Sequence, residues 1–229
     1  MYVIRAISRR AAPAQRGLSL VELLVGVALG LFLVAGASTL FVSHLNNGRR
    51  LLLEARLNQD LRAAADLITR DIRRAGYWGN SLAGTLATGA ASTTALNPYR
   101  VVNTPNSSTI TYGFSRDTTE NNFQDANEEF GFVLTSGAIR MQIANGTTQE
   151  VTDPSTLTVT AFTIAPTVTA VDVRDACAKT CTGSTCPTIT VRQYLVTITG
   201  QAARDPTVTR TMQTRARVRN DLFAGTCPA

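Results

Sequence analysis

Leu23 to Ser43 is a run of 21 residues without a charged side chain, and a single acid, Glu22, stands at its N-terminal border. As a helix rising ~1.5 Å per residue the run is about 32 Å long, enough to cross the hydrocarbon layer of a bilayer. Before it come Arg5, Arg9, Arg10 and Arg16, with no acid among residues 1–17. That bias predicts an N-terminus on the cytoplasmic face and the bulk of the chain beyond the membrane, with Arg49 and Arg50 as weaker competitors at the far end. A carboxylate in hydrocarbon costs roughly 3 kcal/mol on insertion scales and calls for a cationic partner. Cleavage after Gly17 would supply one, an α-amino group on Leu18 four residues from Glu22.

A short basic leader, Gly17 at the cut, an apolar first residue and Glu22 at the fifth mature position resemble the class III signal of type IV prepilins and pseudopilins. Leu18 departs conservatively from the Phe usual in that family. The resemblance implies that a prepilin peptidase cuts between Gly17 and Leu18 and N-methylates Leu18. It also implies that the apolar segment survives as an anchor and later packs in a filament core, with Glu22 serving assembly. An ordinary secretory signal cut near Ala35-Gly36-Ala37-Ser38, or an uncleaved anchor, is the alternative.

Beyond the anchor, Leu53, Leu57, Leu61, Ala64, Ile68, Ile72 and Ala75 recur at spacings of three and four, which predicts one face of an amphipathic helix. Gly76, after Arg73 and Arg74, reads as its C-terminal stop. If Asn46-Asn47-Gly48 only bends the chain, residues 18–76 form one helix. Its first half is apolar all round, and its second carries a stripe on which a globular domain packs. Gly26 and Gly30 have the small-xxx-small spacing of close helix pairs, although Gly is also simply common in membrane helices. Many major pilins have a proline in this segment; none occurs between Leu18 and Ala75.

The net charge of +6 overstates the basic character of the exported part. Four of the 22 basic residues lie in the leader and seven in residues 49–74, leaving eleven; five of the 16 acids lie before residue 77, leaving eleven. Residues 77–229 are therefore neutral, unlike a basic domain that reads nucleic acid. After Gly76 the composition turns to Thr, Ser, Asn, Gly and Val, with a loop expected over 80–97. Strand patterns follow at 108–114, 130–134, 138–143, 149–151, 157–164, 188–199 and 208–219, and Asn145-Gly146 is the strongest hairpin signal. A helix followed by antiparallel strands predicts an α+β fold. The divisions expected are a leader (1–17), an anchor (18–45), an amphipathic helix half (46–76) and a β-rich periplasmic head (77–229).

Leu18-Ser-Leu-Val-Glu22-Leu-Leu-Val at the cut, Asp71-Ile-Arg73-Arg-Ala75-Gly76-Tyr77-Trp-Gly79 at the helix end, and Arg217-Val-Arg219-Asn220 are together similar to PilW-type minor pilins, relatives of the J-type minor pseudopilins of type II secretion. Relatives often have Cys after the glycine turn; Asn80 stands there, so no disulfide carries over. Tyr77 and Trp78 are expected in the core, with a partner-facing role as the rival reading.

Cys177, Cys181, Cys186 and Cys227 fall in the exported part, where disulfides are the expectation. Any full pairing joins Cys227 to the 177–186 cluster and closes a small loop with the other two; tetrahedral zinc is the rival. Asp117, Glu120, Asp125, Glu128 and Glu129 read as a solvated acidic loop, since the EF-hand spacing and its glycine are missing. Arg215, Arg217 and Arg219 alternate on one strand face: either a face guarded by charge or a contact for DNA or an acidic neighbour. No nucleophile motif, phosphate loop or His-rich site marks an enzyme, and no cofactor or metal is expected.

The expected function is a minor pilin of a type IV pilus. Its implied partners are the prepilin peptidase, other minor pilins, the major pilin and the inner-membrane assembly platform, with a tip adhesin or DNA as further partners. A type II secretion pseudopilin is the alternative within the superfamily. A membrane-tethered β-domain that binds a ligand without polymerising is the alternative from another class.

Overall fold

The computed structural model describes residues 17, 19–84, 96–144 and 146–228. The expectations for the basic leader, for Leu18 and for Asn145 lie outside those residues, as does most of the loop expected over 80–97. The chain divides into two compact units, Met1–Arg49 and Arg50–Ala229.

One helix, α1 (Leu20–Ile72, 53 residues), carries both the apolar run and the amphipathic stripe. From Leu20 to Leu52 every residue is exposed, and the uncharged run Leu23 to Ser43 within that stretch suits a helix that hydrocarbon or other helices surround. The segment is long and apolar enough to cross a membrane.

In the second unit the stripe is buried as its spacing predicts. Leu57, Leu61, Ala64, Ile68 and Ile72 of α1, and Ala75 just beyond it, are at most 2% exposed, whereas Leu53 is only half-buried. Burying each of the large aliphatic side chains contributes roughly 1.5–3 kcal/mol, so this face holds the helix to the head. The helix stops at Ile72, four residues earlier than Gly76 suggested; the next residues tighten into a turn in which the Arg74 and Ala75 N–H groups donate to the carbonyls of Asp71 and Ile72.

Two antiparallel sheets complete the core. The first runs β1 (Val102–Asn106), β2 (Thr109–Gly113), β3 (Glu129–Thr135), β4 (Ala138–Ile143) and β5 (Thr147–Glu150) in sequential order. The second has β6 (Leu157–Asp172), β7 (Thr188–Ala202) and β8 (Asp205–Arg217) in order, and β9 (Leu222–Ala224) pairs with the start of β7. β4 and β5 pair with Ile143 opposite Thr147, and Gly146 between them has φ +73°, the left-handed conformation a tight hairpin demands. Phe130, Phe132, Phe162, Val196, Ile198 and Ala216 from both sheets meet the helix stripe in one apolar cluster. The architecture is α+β and pilin-like.

Several strand limits differ from the sequence pattern. β6 continues past Ile164 to Asp172 with all of residues 165–172 exposed, β8 starts at Asp205, and β1 and β9 were not foreseen. β1 and β6 are outer strands of their sheets, where Pro105 and Pro166 cost no interior ladder hydrogen bond. The part of the expected 80–97 loop that is described begins with one 3-10 turn, Ser81–Gly84.

Candidate assembly site

Glu22 lies in the first turn of α1, where the unpaired N–H groups and the positive end of the helix dipole favour a carboxylate. It is exposed, as are Gly17 and the apolar side chains that follow. Gly26, Gly30 and Gly36 leave open space where a Cβ would be, so a second helix has room to approach.

At the other end of α1 the glycine turn is a hub. Gly76 has φ +73°, and its N–H donates to the Gly113 carbonyl of β2 at 2.8 Å rather than back into the helix. Its carbonyl accepts from Asn97 Nδ2 at 2.8 Å, and the Ala75 carbonyl accepts from Asn220 Nδ2 at 3.1 Å. The Arg219 N–H donates to the Arg73 carbonyl at 3.2 Å. The Arg-Asn pair near the C-terminus thus satisfies carbonyls that the helix end leaves open, a role only the three-dimensional fold could reveal.

Arg192 of β7 is buried beside this turn. Its Nη1 donates to the Arg100 carbonyl and its Nη2 to the Asn220 carbonyl at 2.9 Å. Burial lowers its pKa, with Tyr194 and Asp221 acting against that. Asp71, buried in the last turn of α1, accepts from the Tyr112 hydroxyl of β2 and from Arg74 Nη1 at 3.3 Å. These two polar residues tie the helix end to both sheets. Asp71 belongs to the helix-end motif read from the sequence, but its bond to Tyr112, 41 residues on, and the whole role of Arg192 did not stand out because those partners lie far along the chain.

The two aromatics of the turn part company, correcting the expectation that both belong to the core. Trp78 is buried, and its Nε1 donates to Asn122 Oδ1 at 3.1 Å. Tyr77 is 52% exposed, since neighbouring residues of an extended segment point to opposite sides. Asn80 donates to the same Asn122 oxygen at 3.1 Å. Exposed Gly79 donates its N–H to Glu120 Oε2 at 3.2 Å.

The acidic cluster is solvated at its rim, with Asp125 and Glu129 exposed and Asp117 and Glu120 half-buried, but one member departs from that expectation. Glu128 is fully buried: its carboxylate accepts from Tyr99 Oη at 2.8 Å and from the N–H groups of Arg116 at 2.8 Å and Asp125 at 3.0 Å. Burial raises the pKa of Glu120, but hydrogen bonds from Ser115, Asn122, Gly79 and Tyr99 outweigh it and hold the group below the ordinary glutamate value. One carboxylate oxygen each from Asp117, Asp125 and Glu128 fall within 4.8 Å of one another. Both Glu128 oxygens already accept from protein donors, and Glu128 together with Glu120 holds the loop around the Tyr99 hydroxyl.

Two disulfides close the C-terminal region, Cys177–Cys227 and Cys181–Cys186. The first pins the tail that carries β9, and the second closes a small loop, which leaves the four sulfurs bonded in pairs rather than gathered for zinc. Arg215 and Arg217 are exposed on the outer side of β8 while Ala216 is buried; the strand ends at Arg217, so Arg219, expected on the same strand face, is exposed in the bend just beyond it, next to buried Val218.

A family profile described as Prepilin peptidase-dependent protein B matches residues 50–218. The chain belongs to that family. A second profile, the Prokaryotic N-terminal methylation motif, matches residues 13–38, which include Gly17, Leu18 and Glu22. Together the two make it a type IV pilin-like minor pilin, a structural protein processed by prepilin peptidase and anchored through its apolar helix. No curated protein and no solved structure matches the chain.

Proposed function

We propose that this chain is a minor pilin of a type IV pilus that joins the initiating or tip complex and promotes filament assembly. The observation that carries the reading is the coincidence of the methylation motif over residues 13–38 with a family match across the head. Prepilin peptidase would remove residues 1–17 and methylate Leu18. Residues 18–45 would hold the chain in the inner membrane and residues 46–76 would carry the periplasmic head, residues 77–229.

On assembly, Glu22 would pair with the α-amine of a neighbouring subunit. At 4 Å and an effective dielectric of about 20, that attraction is worth roughly 4 kcal/mol, comparable with the cost of holding the carboxylate in apolar surroundings. The exposed apolar side chains from Leu20 to Leu45 would bundle with other helices and leave the head on the filament surface. Other minor pilins, the major pilin and the inner-membrane platform would be its partners in that path.

Mass spectrometry of sheared filaments, with pilus counts in a strain lacking the gene, tests this. The proposal expects the chain in the filament fraction at low copy and few pili without it. Normal piliation with failed protein secretion would favour a type II pseudopilin. Absence from every filament would favour a tethered binding domain.

A further inference from the structure

The outer face of the second sheet carries an open hollow of about 470 Å³ lined by Arg73, Gln193, Arg215, Arg217 and Arg219. Two features bring these residues together. Gln193 of β7 stands directly opposite Arg217 of β8, and the Arg219 N–H bonds to the Arg73 carbonyl, so the helix end contributes a fourth guanidinium that the alternation along β8 does not reveal. Only Arg217 has an acidic partner, Asp221 at 2.9 Å. Among the described residues no acid forms an ion pair with Arg73, Arg215 or Arg219. Arg215 and Arg217 are two apart on β8, ~6.8 Å along the strand, and Arg219 follows just past its end, so like charges repel one another across the hollow. A single charge suffices to guard a strand from edge pairing; four converging around one Gln exceed that need.

We infer that this hollow is a docking surface for a carboxylate-rich segment of a neighbouring subunit in the assembled complex. The inference rests on the pilin reading and gives that assembly a specific contact. Guanidinium forks match carboxylates bidentately, and the Gln193 amide can donate to a further oxygen. Three properties favour a protein carboxylate over nucleic-acid phosphate. Residues 77–229 balance eleven basic against eleven acidic residues, so no broad positive field draws in a polyanion. No aromatic side chain lines the hollow to stack a base. The hollow takes a few side chains, whereas a duplex needs a longer track of charge.

The test places the photocrosslinking residue benzoylphenylalanine at position 193 of the full-length chain, expressed with its own filament machinery. Adducts are mapped by mass spectrometry in the membrane and sheared-filament fractions. The expected result is an adduct to a pilin-like subunit within a few residues of clustered Asp or Glu. It should fall at least fivefold in the Arg215→Gln/Arg217→Gln/Arg219→Gln variant and by less in the corresponding triple Lys variant, which keeps the charge but loses the bidentate fork. In wild-type membranes it should also fall when salt is raised from about 50 to about 500 mM, a check that needs no variant. An adduct to an uncharged segment, one indifferent to both the Gln substitutions and salt, or filaments that contain the chain without an adduct would overturn the inference. So would a gel shift of duplex DNA by the detergent-solubilised chain that the triple Gln variant abolishes, since the occupant would then be phosphate. An acidic adduct confined to the membrane fraction, with no chain in filaments, would support the surface while refuting the polymerising role.

Discussion

Removing the hydroxyl of Tyr112 is the sharpest probe of how the helix end is fastened to the head. In Tyr112→Phe the ring stays packed against Phe130 and Phe132, but a buried oxygen of Asp71 loses its donor. Hydrogen bonds to charged groups contribute roughly 1.5–3 kcal/mol, so Tyr112→Phe should cost about that much. Asp71→Ala leaves the Tyr112 hydroxyl unsatisfied, at about 1–3 kcal/mol, and also removes the partly exposed Arg74 pair, worth at most about 1 kcal/mol. In the double variant neither partner is stranded, so the two costs should fail to add, with a coupling of roughly 1–2 kcal/mol. Trp78 is the only tryptophan and is buried in the adjoining turn, so its fluorescence during urea titration of the detergent-solubilised chain reports unfolding of the head. Additive costs, or a loss under about 0.5 kcal/mol for Tyr112→Phe, would refute the claim that this pair locks α1 to β2.

Other outcomes follow from the same contacts. Burial raises the pKa values of Tyr99, Tyr112 and Tyr194, aided for the first by Glu128 and for the second by Asp71. Groups with raised folded values contribute stability that is complete below the unfolded pKa near 10 and lost as pH climbs towards the folded values. The head should therefore lose up to about 3 kcal/mol per pH unit above 10 through Tyr99 and Tyr112, and absorbance at about 295 nm should show these two phenols ionising only with unfolding; ionisation of either of the two before the head unfolds would contradict this. Cys227→Ser opens a link spanning 50 residues and should lower the unfolding free energy by up to about 4 kcal/mol on the chain-entropy estimate, read as a lower urea midpoint without reductant. Gly76→Ala forces a side chain into φ +73° with Arg192 Nη2 3.4 Å from its Cβ, and should cost on the order of 1–2 kcal/mol in the same titration.

What could be read from the chain alone depended on how local the signal was. The stripe from Leu57 to Ile72 repeats within single helical turns, and the structure buries it as spaced. β4 was legible to the residue because apolar alternation ends at a glycine turn. Where the apolar pattern fades on an outer strand the local signal misleads: the strand expected over 157–164 runs eight residues further, through Pro166 to Asp172. Glu128 looked like one of five solvated acids, because nothing nearby in sequence shows that Tyr99 and two backbone N–H groups enclose it. The helix-end hub was visible only as a resemblance. Its physical cause, carbonyls of Ala75 and Gly76 answered by Asn220 and Asn97, spans up to 145 residues of chain. Arg73's place beside the β8 arginines was hidden for the same reason.

The central claim is that Glu22 is held at the membrane border for the sake of a newly made amine. N-terminal sequencing and intact mass of the exported protein, for the wild type and for Glu22→Ala, test it most directly. The account predicts that both begin at an N-methylated Leu18 and that the variant is lost from sheared filaments by tenfold or more. A mature chain beginning elsewhere, or a Glu22→Ala chain as abundant in filaments as the wild type, would contradict it.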